Sequence, residues 1–517
     1  MLSSLSTIAI IVLVIGLIYQ YFIFPYFFSP LAKIPNAHLI SPITSLWILH
    51  KRKTGNEIKT IYSLHQQHGP VVRLGPNELS VNSIDGLRTI YTGGFEKTPW
   101  YRDTFVNFGT DNLVSTQKYK PHSIQKRMLS NVYSKSYLQN SPDLQKVSSI
   151  IVVDRFLPLL GKLAQKREAI NVLPLLQGLG QDFTSAYLFG SDYGTDFIHD
   201  VAKREHWLDM YEKFKVSHPK ERSFGEFEQW CLALCDKVSN NLKGGKARSD
   251  QGTQPVVYAQ FYRCLEKNPE NWERKRLMLA SEMLDHLIAG HETSGIAFTY
   301  TLWELSQRPA LQARLRAELL GLSPTLRNAS PEREEDGALP STQSLDNLPF
   351  LDCIIRETLR LHTPVPGPQP RVVPSSSQPV TIGGYTNIPC GTIASSSAFS
   401  LHRIADVYPN PDDWLPERWL NPHGSNSEAM KRLFWAFGSG GRMCLGSNLA
   451  LQGTSITPIK SYKGALIQDV TVIKLVVAAI YTNFTTSIVD DEGIEQEDNY
   501  IAPPKGRKLV LQFTSVS

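Results

Sequence analysis

Ten residues near the C-terminus, Phe437-Gly438-Ser439-Gly440-Gly441-Arg442-Met443-Cys444-Leu445-Gly446, constrain this chain more than any other stretch. The glycines allow backbone conformations and close approaches that a β-carbon resists. They carry a single thiol on a loop directly ahead of an apolar, helix-like run, a placement that suits a metal or cofactor ligand. Arg442, two residues before Cys444, favours the thiolate and offers a cation to an anionic group on such a ligand. The plainer alternative is a glycine-rich turn around a buried structural cysteine, since free cysteine often packs as a small hydrophobe.

The rest of the chain supplies a large core: 517 residues, 42% hydrophobic and 20% charged, with no internal repeat and no long linker. Short β-rich runs at Val71–Leu74 and Leu79–Val81 are set off by Gly and Pro, and strand-like pieces return at Val380–Ile382 and Lys508–Phe513. Helical apolar spacing fills 143–165, 272–307 and 310–320, and the polar stretch Gly321–Ser344 reads as an exposed loop. The expected fold is mainly α with a minor β region. A net charge of +5 with dispersed Lys and Arg gives no nucleic-acid footprint. Cys231, Cys235, Cys264, Cys353 and Cys390 lack zinc-type spacing and read as reduced intracellular thiols.

Leu5–Phe28 contains no charged residue and is long enough to span a bilayer. A cleavable signal peptide is the alternative, but a basic segment before the run and a small-residue cleavage site after it are both missing. Lys33, Lys51, Arg52 and Lys53 follow the span, so the body is expected on the cytoplasmic side. Pro30, Pro35 and Pro42 interrupt helix formation between span and body. The expected organisation is an anchor at 1–28, a proline-rich hinge at 29–44 and a catalytic body at 45–517.

The spacing of Phe437, Gly440, Arg442, Cys444 and Gly446 fills every fixed place of a known pattern, and here the sequence resembles the cytochrome P-450 superfamily of heme-thiolate monooxygenases, in its fungal microsomal style. The resemblance covers nearly the whole chain and implies the cytochrome P-450 fold as one large catalytic domain. It implies Cys444 as axial iron ligand of heme b (iron protoporphyrin IX), where a thiolate pushes electron density toward O–O cleavage. Leu287-Ile288-Ala289-Gly290-His291-Glu292-Thr293-Ser294, inside a long helical segment, matches the family's oxygen-binding motif. Ala289 and Gly290 are expected to leave room for dioxygen, with Glu292 and Thr293 relaying protons. A mid-helix Gly costs up to about 1 kcal/mol relative to Ala, so Gly290 needs a reason. His291 has no partner at ligand spacing and stays outside the catalytic set.

Glu357 and Arg360 supply the family's ExxR pair on one helical face. Spacing alone is weak, because Glu273 and Arg276 share it. Arg418, in Pro416-Glu417-Arg418-Trp419, resembles the residue that completes a buried Glu, Arg, Arg network, with Trp419 replacing the commoner Phe as a mild change. Heme propionates call for cations, and the resemblance offers Arg442 and Arg371. His122 and Lys126 fall where the family has Trp and Arg, and serve either there or on a solvated face. Phe437 is expected near the thiolate, as a tuning neighbour, as core packing, or as both.

After Leu449-Ala450-Leu451-Gln452 the family runs on as one helix into a segment like Lys474–Tyr481. Here the stretch 453–472 intervenes, with Gly453 and Pro458 that do not belong inside a continuous helix. It reads as an intervening sequence retained in a gene model or transcript, or as a surface loop that splits the helix. The resemblance implies a monooxygenase at the endoplasmic reticulum membrane acting on a lipophilic small molecule, with fungal secondary-metabolite biosynthesis as its setting. Substrate contacts are expected at Trp100–Phe108, on the helix before Ala289, at Pro364–Gln369 and at Tyr500–Ala502. With no flavin or dinucleotide fingerprint, electrons are expected from NADPH through a partner NADPH-cytochrome P-450 reductase, with cytochrome b5 as a second candidate. Arg442, Lys431 and Arg432 would form part of the docking face. The rival readings are a heme-thiolate isomerase or dehydratase, which the Glu292-Thr293 pair argues against, and an inactive product if 453–472 is genuine.

Overall fold

An apolar helix, α1 (Leu2–Ile18), opens the chain and continues through a π-helical turn at Tyr19–Ile23 into a short helix, Phe24–Phe27. The 22 residues Ser6–Phe27 have a mean hydropathy of 2.4 and bury nothing against the protein, so this element is long and apolar enough to cross a membrane. The computed structural model describes residues 2–217, 224–244, 252–267, 271–327, 339–420, 426–450 and 472–516. The proline-rich segment after the apolar helix is tied to the body by buried Arg73, whose backbone N–H donates to the Pro35 carbonyl at 2.8 Å and whose guanidinium donates to the Pro42 carbonyl at 3.5 Å.

Three small sheets support a helical body. Strands β1 (Val71–Gly75), β2 (Glu78–Val81) and β3 (Glu96–Lys97) join later strands β5 (Arg371–Val372) and β8 (Ile393–Ser395) in the order β1-β2-β8-β5-β3. The antiparallel register of β3 on β5 sets Lys97 opposite Arg371. Strand β4 (Ala169–Asn171) pairs with β10 (Val510–Ser515), which pairs with β9 (Phe484–Asp490), while β6 (Val380–Ile382) and β7 (Tyr385–Ile388) form a hairpin.

Six further helices position the site: α2 (Tyr119–Leu129), α3 (Val172–Phe189), α4 (Val201–Val216), α5 (Trp272–Ser306), α6 (Pro349–Leu361) and α7 (Val472–Asn483). The 35-residue α5 starts where Asn271 accepts the backbone N–H of Arg274 and crosses α3 through glycines. A β-carbon on Gly180 would lie 2.8 Å from the Gly290 carbonyl oxygen, so the two backbones can approach only without it. Apolar residues of α3, α5, α6 and α7 meet in the largest core cluster, where side chains such as Leu179, Ile296, Ile354 and Val477 are fully out of water.

The span expected as one helix over 143–165 is three consecutive pieces: Pro142–Ser148, a π-helical stretch Ser149–Phe156 and Leu157–Lys166. The polar stretch expected as loop over 321–344 ends in a short helix, Thr342–Asp346, because Ser341 caps it by accepting the N–H of Ser344; residues 328–338 lie outside the described residues. Of the intervening stretch 453–472, residues 453–471 also lie outside them, and Val472 is the first residue of α7.

Candidate active site

The cysteine loop is shaped by two glycines at positive φ, Gly438 at 69° and Gly440 at 68°. A β-carbon at Gly440 would also run into the Tyr91 carbonyl oxygen. The loop closes on itself where Cys444 N–H donates to the Phe437 carbonyl at 2.9 Å. Its start is held by His402, whose Nε2 accepts the Trp435 N–H at 2.8 Å. Phe437 packs on the main core as well as supplying that carbonyl, which is the packing role expected for it.

Cys444 keeps accessible surface. Burial is nevertheless the largest influence on its thiol and pushes the pKa above the ordinary value. The N–H groups of Gly446 and Ser447 and the Lys126 ammonium pull in the opposite sense, toward thiolate. Lys126 is fastened to the loop itself, donating to Met443 O at 2.7 Å and Gly441 O at 3.2 Å.

Around this loop the fold gathers basic groups. Arg442 donates to Thr116 O at 2.8 Å and Gln117 O at 2.7 Å, and its buried Nε has no partner among the described residues. Arg371 donates to the Tyr101 hydroxyl at 2.8 Å and lies over the Tyr91 and Tyr101 rings. Lys97 is buried and donates to Val114 O at 2.6 Å and Leu113 O at 3.2 Å. Burial, then Arg371 and Arg442, hold the Lys97 pKa well below the ordinary lysine range. Burial, then Arg442, Lys97, Lys126 and Arg371, push buried His122 down to about 2. Burial and Arg371 lower Arg442 to about 10. These groups hydrogen-bond to neutral carbonyl and hydroxyl oxygens and form no salt bridge among the described residues, with Glu96 and Asp285 the anions in electrostatic reach, so the set carries an excess of basic groups that fits a ligand carrying two carboxylates. His122 and Lys126 therefore belong to an inward, buried set and not to a solvated face.

On α5, Ala289 is exposed in the middle of a packed helix and Thr293 is half-buried on the same face. The Thr293 hydroxyl donates to Ala289 O at 2.7 Å. Gly290 and Glu292 differ from expectation. A β-carbon on Gly290 would collide with the Thr184 side chain of α3, so helix packing takes up the room expected there for dioxygen. Glu292 is buried and turned to α4, where Lys215 Nζ meets its carboxylate at 3.0 Å. Among the described residues no hydrogen bond joins it to Thr293, because adjacent helical residues point about 100° apart. His291 is also a packing residue, between Trp207 and Tyr211, with its pKa pushed down to about 3, chiefly by burial.

Glu357 is fully buried and accepts from Arg360 Nη2 and Arg418 Nε at 2.8 Å, Arg360 Nε and Leu415 N–H at 2.9 Å, and Trp419 Nε1 at 2.8 Å. Burial opposes this carboxylate, but Arg360, Arg418 and the Leu415 N–H together hold its pKa below the ordinary range. Arg360 also donates to His402 O at 2.9 Å, and His402 Nδ1 meets Arg360 O at 2.8 Å. His402 thus links the network to the cysteine loop. Three features escaped the sequence reading: Lys97, His402 and the donor role of Trp419. The available signal for Lys97 was a lysine beside aromatic Phe95 in a short strand, whereas nothing local marks His402.

The sequence matches the family described as Cytochrome P450 over residues 38–457. The chain belongs to the cytochrome P450 family, and it is a heme monooxygenase of that class. It is 29% identical over 398 residues to cytochrome P450 monooxygenase avaI of Aspergillus versicolor, covering 74% of this chain and 92% of that protein. It is 27% identical over 458 residues to monooxygenase aneF of Aspergillus aculeatus, covering 82% and 86% respectively. It is 25% identical over 487 residues to monooxygenase FGM1 of Gibberella zeae, covering 88% and 87%. Membership brings a heme-thiolate cofactor, electrons from a redox partner and a lipophilic substrate. The thiol, the excess of basic groups and the open face at Ala289 fit that cofactor.

Proposed function

We propose that this chain is a membrane-anchored monooxygenase that inserts one oxygen atom from dioxygen into a lipophilic substrate of fungal secondary metabolism. Cys444 would ligate the iron of heme b, and Arg442, Arg371, Lys97 and Lys126, with His122 beside them, would hold its propionates. The heme supplies the activation of dioxygen. The chain's own residues do the rest. Ala289 keeps the face above the cofactor low, and Thr293 holds a proton donor there through its hydroxyl. Glu357, Arg360 and Arg418 fix the loop that carries the thiol. The basic set around the Cys444 loop, which forms no salt bridge among the described residues and leaves the buried Arg442 Nε without a partner, carries this reading most directly.

The apolar helix and the basic residues that follow it support a location at the endoplasmic reticulum membrane with the body in the cytosol, where an NADPH-cytochrome P-450 reductase, with cytochrome b5 as a second donor, would meet a face containing Lys431 and Arg432. Both are basic residues in the last turn of the short helix Ser427–Leu433 ahead of the cysteine loop.

The test is the absorption spectrum of reduced, CO-bound protein with and without residues 453–472. A red-shifted thiolate signature that disappears in Cys444→Ala supports the reading, and its absence from both forms removes it. Peptide mass spectrometry across Gln452 and Leu475 shows which form is made: peptides containing Tyr462 would rule out an intervening sequence.

A further inference from the structure

Tyr133, in the turn that follows α2, is a buried phenol that the chemistry above leaves without a task. Its backbone carbonyl accepts from Asn448 Nδ2, four residues past Cys444, at 2.8 Å. The phenol itself lies within electrostatic reach of the Cys444 thiol.

The Tyr133 hydroxyl meets His286 Nδ1 on α5 at 2.9 Å, and the other ring nitrogen, Nε2, faces Glu282 Oε1 at 3.2 Å. A carboxylate only accepts, so the neutral imidazole carries its hydrogen on Nε2 and turns the Nδ1 lone pair to the phenol. Glu282 is fully buried and fixed in place, because Oε2 accepts from Gln125 Nε2 at 2.7 Å and from the Leu113 N–H at 3.1 Å. Burial disfavours an imidazolium here, but Glu282 and then Asp285 raise the His286 pKa above its ordinary value. The ring is therefore a base, oriented by an acid, with a phenol on its lone pair.

Burial, then Glu282, Cys444 and Asp285, hold the Tyr133 pKa well above the ordinary phenol range, so the phenol does not ionise by itself. A phenol that lost only an electron would be left as a buried cation, which its surroundings disfavour. Loss of an electron together with the proton avoids that charge, and a base already on the hydroxyl makes it feasible. Tyr187 on α3 supplies the contrast. Its ring centroid lies 5.9 Å from that of Tyr133 and it is equally buried, but its hydroxyl donates to the Val132 carbonyl, which is too weak a base to take the proton.

Resting on the reading of Cys444 as the heme ligand, we propose that Tyr133 is a redox-active tyrosine that gives one electron to an oxidised heme holding no substrate and passes its hydroxyl proton to His286 Nδ1. The O–H bond breaks and an N–H bond forms, and the heme gains one electron. The products are a neutral tyrosyl radical and an imidazolium paired with Glu282. One electron from the redox partner, with return of the same proton, restores the tyrosine. The phenol thus draws off oxidising equivalents that would otherwise fall on the cysteine loop.

The test mixes heme-loaded full-length protein with peracetic acid in the absence of substrate, at mildly alkaline pH to keep the imidazole neutral, and reads freeze-quenched samples by electron paramagnetic resonance. Wild type is expected to show a tyrosyl radical whose line shape narrows when the protein is made with ring-deuterated tyrosine. Tyr133→Phe should lose that signal and Tyr187→Phe should keep it. His286→Gln, which leaves the phenol but offers it no base, should lose most of it. A signal that survives in full in Tyr133→Phe, or that disappears in Tyr187→Phe alone, overturns the proposal. A full signal in His286→Gln also overturns it, by showing that the imidazole takes no proton. Wild type that gives the reduced, CO-bound thiolate signature but no tyrosyl radical overturns this inference and leaves the heme reading standing. Absence of that signature from wild type removes both.

Discussion

Trp419→Phe should destabilise this protein by more than its conservative look suggests. The indole Nε1–H donates to Glu357 Oε2 at 2.8 Å, and among the described residues the only other donor to that oxygen is Arg360 Nε at 2.9 Å. Glu357 has no exposed surface, so water does not replace the lost donor. A hydrogen bond to a charged group contributes about 1.5–3 kcal/mol, and leaving a buried acceptor short of partners keeps most of that cost. Phenylalanine would preserve ring contacts with Phe434, at 5.6 Å between centroids, and Tyr408, at 6.2 Å, so the packing loss is small. Because Arg360 still serves Oε2, the lower part of the range applies, about 1.5–2 kcal/mol. Denaturant unfolding of the detergent-solubilised full-length chain, followed by helical circular dichroism, reads it as a lower midpoint with an unchanged slope. In a Glu357→Gln background the Trp419→Phe cost should shrink, because the charge that strengthens the bond is gone. An unchanged midpoint, or a cost that persists in full without the carboxylate, would refute the role of the indole.

Gly290→Ala should cost about 1–3 kcal/mol by overpacking, because its methyl collides with Thr184; thermal unfolding measures it, and Thr184→Ala should recover part. His402 is held neutral in the fold with its pKa pushed down to about 3, chiefly by burial, from an ordinary 6.5. The unfolded chain therefore takes up a proton that the folded one refuses, and this contribution to stability is present above pH 6.5 and lost as pH falls toward 3. Unfolding midpoints against pH should show the loss, and His402→Gln should be less stable at neutral pH with a shallower slope. Lys215→Met should leave the buried Glu292 carboxylate without its cation and lower the thermal unfolding midpoint; an unchanged midpoint would show that the pair contributes nothing to stability.

Much of the site was legible because its determinants are local. The glycines of the loop around Cys444 act through their own φ angles, and the Glu357–Arg360 pair is fixed by helical spacing. The apolar anchor needs only a run of uncharged residues. Other parts were illegible because they depend on what packs opposite. Trp419 reads as a Phe substitute until its indole is seen to face Glu357 across the turn. Gly290 reads as room for a ligand until α3 is seen to bring Thr184 against it.

The sequence by itself determined the ligand loop, the long helix with its small and hydroxyl residues, the membrane-length helix and the family, since each is written in consecutive residues or in i, i+3 and i, i+4 spacing. Only the tertiary structure decided the site's charge. Strand register set Lys97 beside Arg371, and the approach of α4 to α5 gave Glu292 to Lys215. Electrostatic balance in a buried site is a sum over groups far apart in the chain, and no local pattern encodes it.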